Sequence, residues 1–478
     1  MFSKKIHFYH IFQSKVPPLS SGTVKKILHY IPMKLLRLTN LTRFAFCQPK
    51  LRPNLPVRNG GYLCIPRDAI SRYIKNREAD AQECEREGIE IIPEVRAFKK
   101  AIYHDPILRM CYEGALNSIP EGGELSCANR DQVFKMMSSI CILPPKFEDQ
   151  SITGVPFYAI FIDFLDTRYG QAFFSNPIVN THLKHIFNAY QTMLKSDVST
   201  KYLVADSEYG WFNPKTEKYV NWNDYYVYPK KPHWGFANWN DWFTRKIRPE
   251  ARPIAPGKNI VVNSSDSFPL NYDRSGLLGS NPARKVKAEN EFWLKDNRYS
   301  LYDMFGARYS GVKKIIDDHF VGGTVYQAFL DPWCYHRWHA PVSGTVVKSY
   351  KLGGSYYLSN PGLPLDTEES YINSQPFLSI VSVRQVYIIR MDDDIKKRHV
   401  AVIEIGMAEV SSCVSTVIEG QKVKKGDQLG YFQFGGSSHA IVFDKDMDLK
   451  FTDTLKNWDD KLNQPEKQLV NSELATFK

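Results

Sequence analysis

Between Pro93 and about Ser196 apolar residues return every three or four positions, the spacing of helices with one buried face. The stretch "PEVRAFKKAIYHDPILRM" opens on proline and sets Val95, Phe98 and Ile102 on one side. "SNPIVNTHLKHIFNAYQTMLKS" carries the clearest pattern. Asn176 can cap it, Pro177 suits its first turn, and Val179, Leu183, Ile186, Phe187, Tyr190 and Met193 form the stripe. His182 and His185 read there as surface or helix-end residues rather than ligands. Just upstream, "KNREADAQECEREGIE" is charged enough for a linker or an exposed helix.

Beyond Arg252 the period shortens. "NIVVNSS", "GGTVYQAFL", "SGTVVKSYKL", "FLSIVSVRQVYIIRM", "HVAVIEIGMAEVSSCVSTVIEG" and "LGYFQFGG" are short, β-branched runs between Gly, Pro or charged turns. The expectation is an α+β protein: a helical N-terminal domain, then an antiparallel β-rich domain of barrel-like or sandwich form. Residues 201–242 between them are dense in Trp and Tyr. Such density suits mortar between domains better than a ligand pocket. The resulting division is a leader over 1–67, a mainly helical domain over 68–225 and a β-rich domain over 226–478.

Charge changes the picture only at the N-terminus. The net charge is +11, but residues 1–67 hold 12 Lys and Arg and no acid, leaving 50 basic against 51 acidic residues. The body therefore has no global basic field, and nucleic acid is not an expected partner. Within the leader, "TVKKILHYIPMKLLRLTNLTRF" is amphipathic and interrupted by Pro32. It reads as a targeting peptide, a membrane-surface anchor or a floppy extension. The expected location is cytoplasmic, or organellar and membrane-peripheral if the leader targets or anchors. No apolar run approaches the roughly 20 residues of a spanning helix. The eight cysteines include no CxxC pair and suggest neither a zinc site nor a disulfide framework, so no metal is expected.

Candidate chemistry falls in the β-rich half. Asp266 lies in "VVNSSDSFPL", His336 and His339 in "DPWCYHRWHAPVSG", and Ser437 and Ser438 follow Gly435 and Gly436 in "GYFQFGGSSHAIVF". Each alone has a bland reading as a turn residue, a packed histidine or a loop. Together they supply an acid, a base and a hydroxyl, the inventory for activating a serine. No GxSxG elbow is present. The glycines suggest instead that the electrophile is the Gly436 carbonyl, reached by Ser437 through a backbone shape open to glycine.

These blocks resemble the phosphatidylserine decarboxylase family. "KKGDQLGYFQFGGSSHAIVF" is similar to its GGST or LGST processing motif, "YHRWHAPVSG" to its YHRxHxPxxG segment, and "NWNDWFTRKIRPEARPI" to its FFxR…RPI segment. The helical region resembles the extra N-terminal domain of the branch with fungal L-tryptophan decarboxylases. Three positions depart from the pattern: the family's PxDG turn is here Ser264, Ser265, Asp266 and Ser267, Ser438 replaces Thr, and His439 replaces an apolar residue.

The resemblance implies a mechanism. Asp266 would orient and polarise His339, and His339 would deprotonate Ser437. The chain would then break between Gly436 and Ser437, leaving a 42-residue C-terminal chain that starts with a pyruvoyl group. That covalent cofactor, in place of pyridoxal phosphate, would form a Schiff base with a substrate amine and accept the electrons left by CO₂. His339 or His336 would return the proton. The expected substrate is an L-amino acid, aromatic by preference, and the chains would pair as a homodimer. Phosphatidylserine is the alternative, and gives the leader a membrane role. Readings of other classes are an unprocessed binding module, a carrier-like hammerhead, and a metal hydrolase using His336, His339 and His439.

Overall fold

The computed structural model describes residues 67–119, 130–148, 152, 154–165, 167–270, 283–287, 290–294, 297–360, 374–392, 394–434, 437–459 and 464–478. The leader and the glycines Gly435 and Gly436 lie outside the described residues. Among the described residues seven helices come first: α1 Arg67–Arg86, α2 Pro93–His104, α3 Pro106–Asn117, α4 Gln132–Ile142, α5 Pro156–Leu165, α6 Arg168–Ser175 and α7 Pro177–Leu194. The charged stretch upstream of Pro93 is therefore helix rather than linker. Proline opens α2, α3 and α7, where its missing N–H loses nothing. On α7 the Asn176 side chain accepts from the Ile178 N–H, and the apolar stripe is buried. Helix α5 is buried all round. None of the described helices is long and apolar enough to cross a membrane.

The strands used below are β1 Ile260–Val262, β2 Phe268–Pro269, β3 Ala283–Lys285, β4 Thr324–Leu330, β5 Arg337–His339, β6 Gly344–Leu352, β7 Arg384–Arg390, β8 His399–Gly406, β9 Cys413–Ser415, β10 Lys422–Val423, β11 Gln428–Phe432 and β12 Ser437–Phe443. The main sheet is antiparallel and runs β10-β6-β7-β8-β12-β4-β2, with β3 also on β4. A second, three-stranded sheet runs β9-β11-β5. The α+β order holds, and of the barrel-like and sandwich forms expected, a closed barrel is not formed, because the main sheet stays open at β10 and β2. One further expectation fails. "FLSIV" forms the last five residues of a helix, Gln375–Val381, rather than a strand, with Pro376 in its first turn.

Two features place the site. Strand β12 is central, flanked by β8 and β4 along its whole length, and all seven of its residues are buried. Trp211, Trp239 and Trp242 pack on one another and on Trp333 at ring separations of 4.7–6.0 Å, with Phe147 of the helical region against Trp211 and Trp333. The aromatic stretch is mortar. It joins the helices to the segment that leads into β5.

Candidate active site

The acid loop lies between β1 and β2, and Asn263 to Ser267 are fully buried. Backbone bonds between Ser267 and Gln468, and from Asn471 to Asn263, lash it to the C-terminal segment. Asp266 takes a two-pronged bond from Arg252, Nε at 3.0 Å and Nη2 at 2.8 Å, and a third from the Val470 N–H at 2.8 Å. Arg252 also binds Asp224. Burial opposes the Arg252 charge, but the hydrogen bonds and charge of Asp266 prevail and push its pKa up. No hydrogen bond links Asp266 to His339; the carboxylate acts on that ring through its field alone.

His339 ends β5 and is held from three sides. Its backbone N–H donates to Ser264 O at 2.8 Å, its Nδ1–H to Gly426 O at 2.7 Å, and the Tyr335 O–H donates to its Nε2 at 2.9 Å. Because a carbonyl only accepts, Nε2 is the basic nitrogen. Burial lowers the His339 pKa below its ordinary 6.5, with the Gly426 carbonyl and Asp266 working the other way. A neutral ring with a free base nitrogen once Tyr335 yields is what general-base chemistry requires. His336 is buried and stacks on Phe243 at 4.1 Å. Arg245 binds the carbonyls of Trp333 and Cys334 just before it.

Ser437 is the first residue of β12, opposite Leu330 on β4 and Gly406 on β8. Its Oγ is buried and has no hydrogen-bond partner among the described residues. An unmade bond there costs about 1–3 kcal/mol. Two positions near this pairing are strained, one three residues before Ser437 and one two residues after Gly406. Phe434 has φ 45° and Ala408 has φ 48°, left-handed values rare outside glycine. Gly406 is needed at its position, since a Cβ would stand 2.5 Å from the Ser411 Cα.

Two of the three departures from the family pattern meet in space. His439, on the same strand face as Ser437, receives the Ser264 O–H at Nδ1 (2.9 Å) and donates from Nε2 to Ser267 Oγ (3.0 Å). Burial drives its pKa down to about 3, so the ring is neutral. Glu404 is opposite it on β8, and burial pushes that carboxyl well above the usual range. Ser438 points to the other face, where Gln327 donates to it at 3.2 Å.

The acid loop, His339 on β5 and Ser437 on β12 all fall within one stretch that matches known proteins. A family model described as phosphatidylserine decarboxylase matches residues 239–467, and a second of the same description matches 92–220. The decarboxylase iboD of Amanita muscaria is 35% identical over 338 residues, 64% of this chain and 91% of the relative. The chain belongs to the phosphatidylserine decarboxylase family. An L-tryptophan decarboxylase of Psilocybe cubensis is 29% identical over 81% of this chain and 89% of its own length. Phosphatidylserine decarboxylase proenzyme 3 of Schizosaccharomyces pombe is 29% identical over 47% of this chain and 21% of its own. Like its relatives, the protein is a decarboxylase. The phosphatidylserine decarboxylase family is pyruvoyl-dependent in general.

As in the tryptophan decarboxylase, the match includes the helical region. A groove of about 810 Å³ runs between α7 and the β-rich half, lined by Asn180, Lys184, Phe187, Tyr356, Glu409 and Gln433 among others. Asp266, His339 and Ser437 do not line it, although Gln433 at its edge is four residues from Ser437. Glu409 ties the halves together. Its carboxylate accepts from the N–H of Phe157 at 2.8 Å, at the start of α5, and from Tyr357 O–H at 3.0 Å. Sequence reading missed Glu409, Glu404, Tyr335 and Arg252 as site residues. Tyr335 and Arg252 sat inside quoted motifs, and the two glutamates carried no local signal.

Proposed function

We propose that this decarboxylase cleaves itself between Gly436 and Ser437 and acts on a free L-amino acid, aromatic by preference. The buried, unpartnered Ser437 hydroxyl at the head of β12 carries the reading. His339 Nε2 takes the Ser437 proton, exchanging its bond from Tyr335 for one to the hydroxyl. Ser437 Oγ then bonds to the Gly436 carbonyl carbon as the peptide C–N bond breaks and the freed nitrogen takes the proton back from His339, which turns the amide into an ester. Loss of the Ser437 α-proton expels Gly436 as a carboxylate. Hydrolysis of the remaining enamine, with one water consumed, frees ammonia. Asp266, fixed by Arg252, favours protonation of His339 through its field.

The residues present fit a pyruvoyl group at position 437, because the position that would bear it is a buried hydroxyl with no other bond to lose. Such a group supplies a ketone that captures an amine and takes up the electron pair released with CO₂. His336 and His339 are the candidates to return a proton to the substrate carbon. The groove beside α7 supports a small substrate, since its mixed aromatic and polar lining suits an amino acid.

Intact-mass spectrometry of wild type and Ser437→Ala tests the cleavage. Two chains are expected for the wild type and one for the variant; a single active wild-type chain refutes it. Release of CO₂ from tryptophan, tyrosine or phenylalanine, set against phosphatidylserine vesicles, tests the substrate. Release from vesicles alone overturns the amino-acid reading.

A further inference from the structure

At the far end of β12 stands a cluster that the decarboxylation does not use. His319 lies on a π-helical turn, Ile316–Phe320, His399 is the first residue of β8, and Asp444 follows the last residue of β12. One donor atom from each lies within 4.8 Å of the others. His319 Nδ1 is 2.9 Å from Asp444 Oδ2, His399 Nδ1 is 4.0 Å from the same oxygen, and the two rings are 3.8 Å apart. An imidazole–carboxylate bond accounts for His319 and Asp444. It leaves His399 Nδ1 buried, without a hydrogen-bond partner, and facing the same carboxylate.

We infer that His319, His399 and Asp444 bind a divalent transition metal of the zinc class. Two imidazoles and a carboxylate are a zinc donor set, with a fourth position left for water. The carboxylate is already oriented: the His399 N–H donates to Oδ2 at 2.9 Å and the Asp446 N–H to Oδ1 at 3.0 Å. The half-exposed His319 side chain gives the ion a route in. Of the nearby cations, Arg390 across β7 is engaged by Asp392 at 3.2 Å.

The placement gives the ion a role. Ser437 and Asp444 sit at opposite ends of one strand, about 23 Å apart at an extended rise. After the proposed cleavage Asp444 belongs to the short chain, and His319 and His399 to the long one. The metal would then be a clamp between the two products. This role rests on the cleavage proposal; the binding does not.

The test uses full-length protein without a histidine tag, stripped by chelator and titrated with zinc chloride and with cobalt(II). One equivalent is expected in the wild type and equally in Ser437→Ala, with cobalt giving the visible absorption of a four-coordinate site. His399→Ala and the half-exposed His319→Ala should each weaken zinc binding by more than about 100-fold, beyond the loss a supporting partner causes. Absence of stoichiometric binding, or binding unchanged in both variants, overturns the site. Chelator should lower the melting temperature of the cleaved wild type but not of either variant. Equal lowering in all three overturns the clamp alone, and a wild type that stays uncleaved refutes the cleavage without touching the site.

Discussion

At the scale of single residues, the chemistry turns on how polar groups are spent. Ser437 Oγ has no hydrogen bond among the described residues and burial favours a neutral His339, so the proposed self-cleavage should respond to pH through the ring. Because the lowered pKa of His339 lies below 6.5, the cleavage rate should be flat above neutrality and fall on acidification, followed by mass spectrometry from pH 5 to 8. Asp266→Asn should break the two-pronged bond and leave Arg252 buried with less than its due charge. A loss of about 3–5 kcal/mol is expected by denaturant titration, with slower processing. His439→Leu removes one hydrogen bond each from buried Ser264 and Ser267, the latter keeping Asn263 and Ser265, and should cost about 1–3 kcal/mol in the same assay. The sequence exposed Asp266, His339 and Ser437 one by one. It did not expose the His439 pairings, whose partners are 175 and 172 residues away.

At the scale of elements, local signals were readable where one residue settles the outcome. Asn176 and Pro177 define the start of α7 within a single turn of chain. "FLSIV" differs from the expectation because four apolar residues around one serine suit a strand or a buried helix equally, and only packing decides. Barrel or open sheet was likewise not written locally, since closure depends on how β10 and β2 end up placed. Glu409 shows how one residue couples elements. Burial raises its carboxyl to about 7, against 4.5 unfolded, so the native state holds an extra proton between those values. Stability from this group is therefore greatest below pH 4.5 and declines as pH rises through 7, by on the order of 3 kcal/mol. Glu409→Gln should remove that decline, seen as a smaller fall in melting temperature from pH 5 to 8 than in the wild type.

For the molecule as a whole, the decisive fact is that β12 is an inner strand. Both neighbours bond to it from Ser437 to Phe443. Cutting the chain just before it should free a terminus without freeing the strand. The two products should co-elute on gel filtration and part only in denaturant, whereas a short chain that dissociates in native buffer would contradict this arrangement.

The buried head of that strand also bears on the working life of the enzyme. On the cleavage proposed above, a prosthetic group grown from the backbone at position 437 would have no apo form to return to and no second copy to draw on. Each molecule would be armed once. If a reductant or a stray amine consumes its ketone, no exchange with a cellular pool can restore it, and the supply of activity then follows the rate of new synthesis.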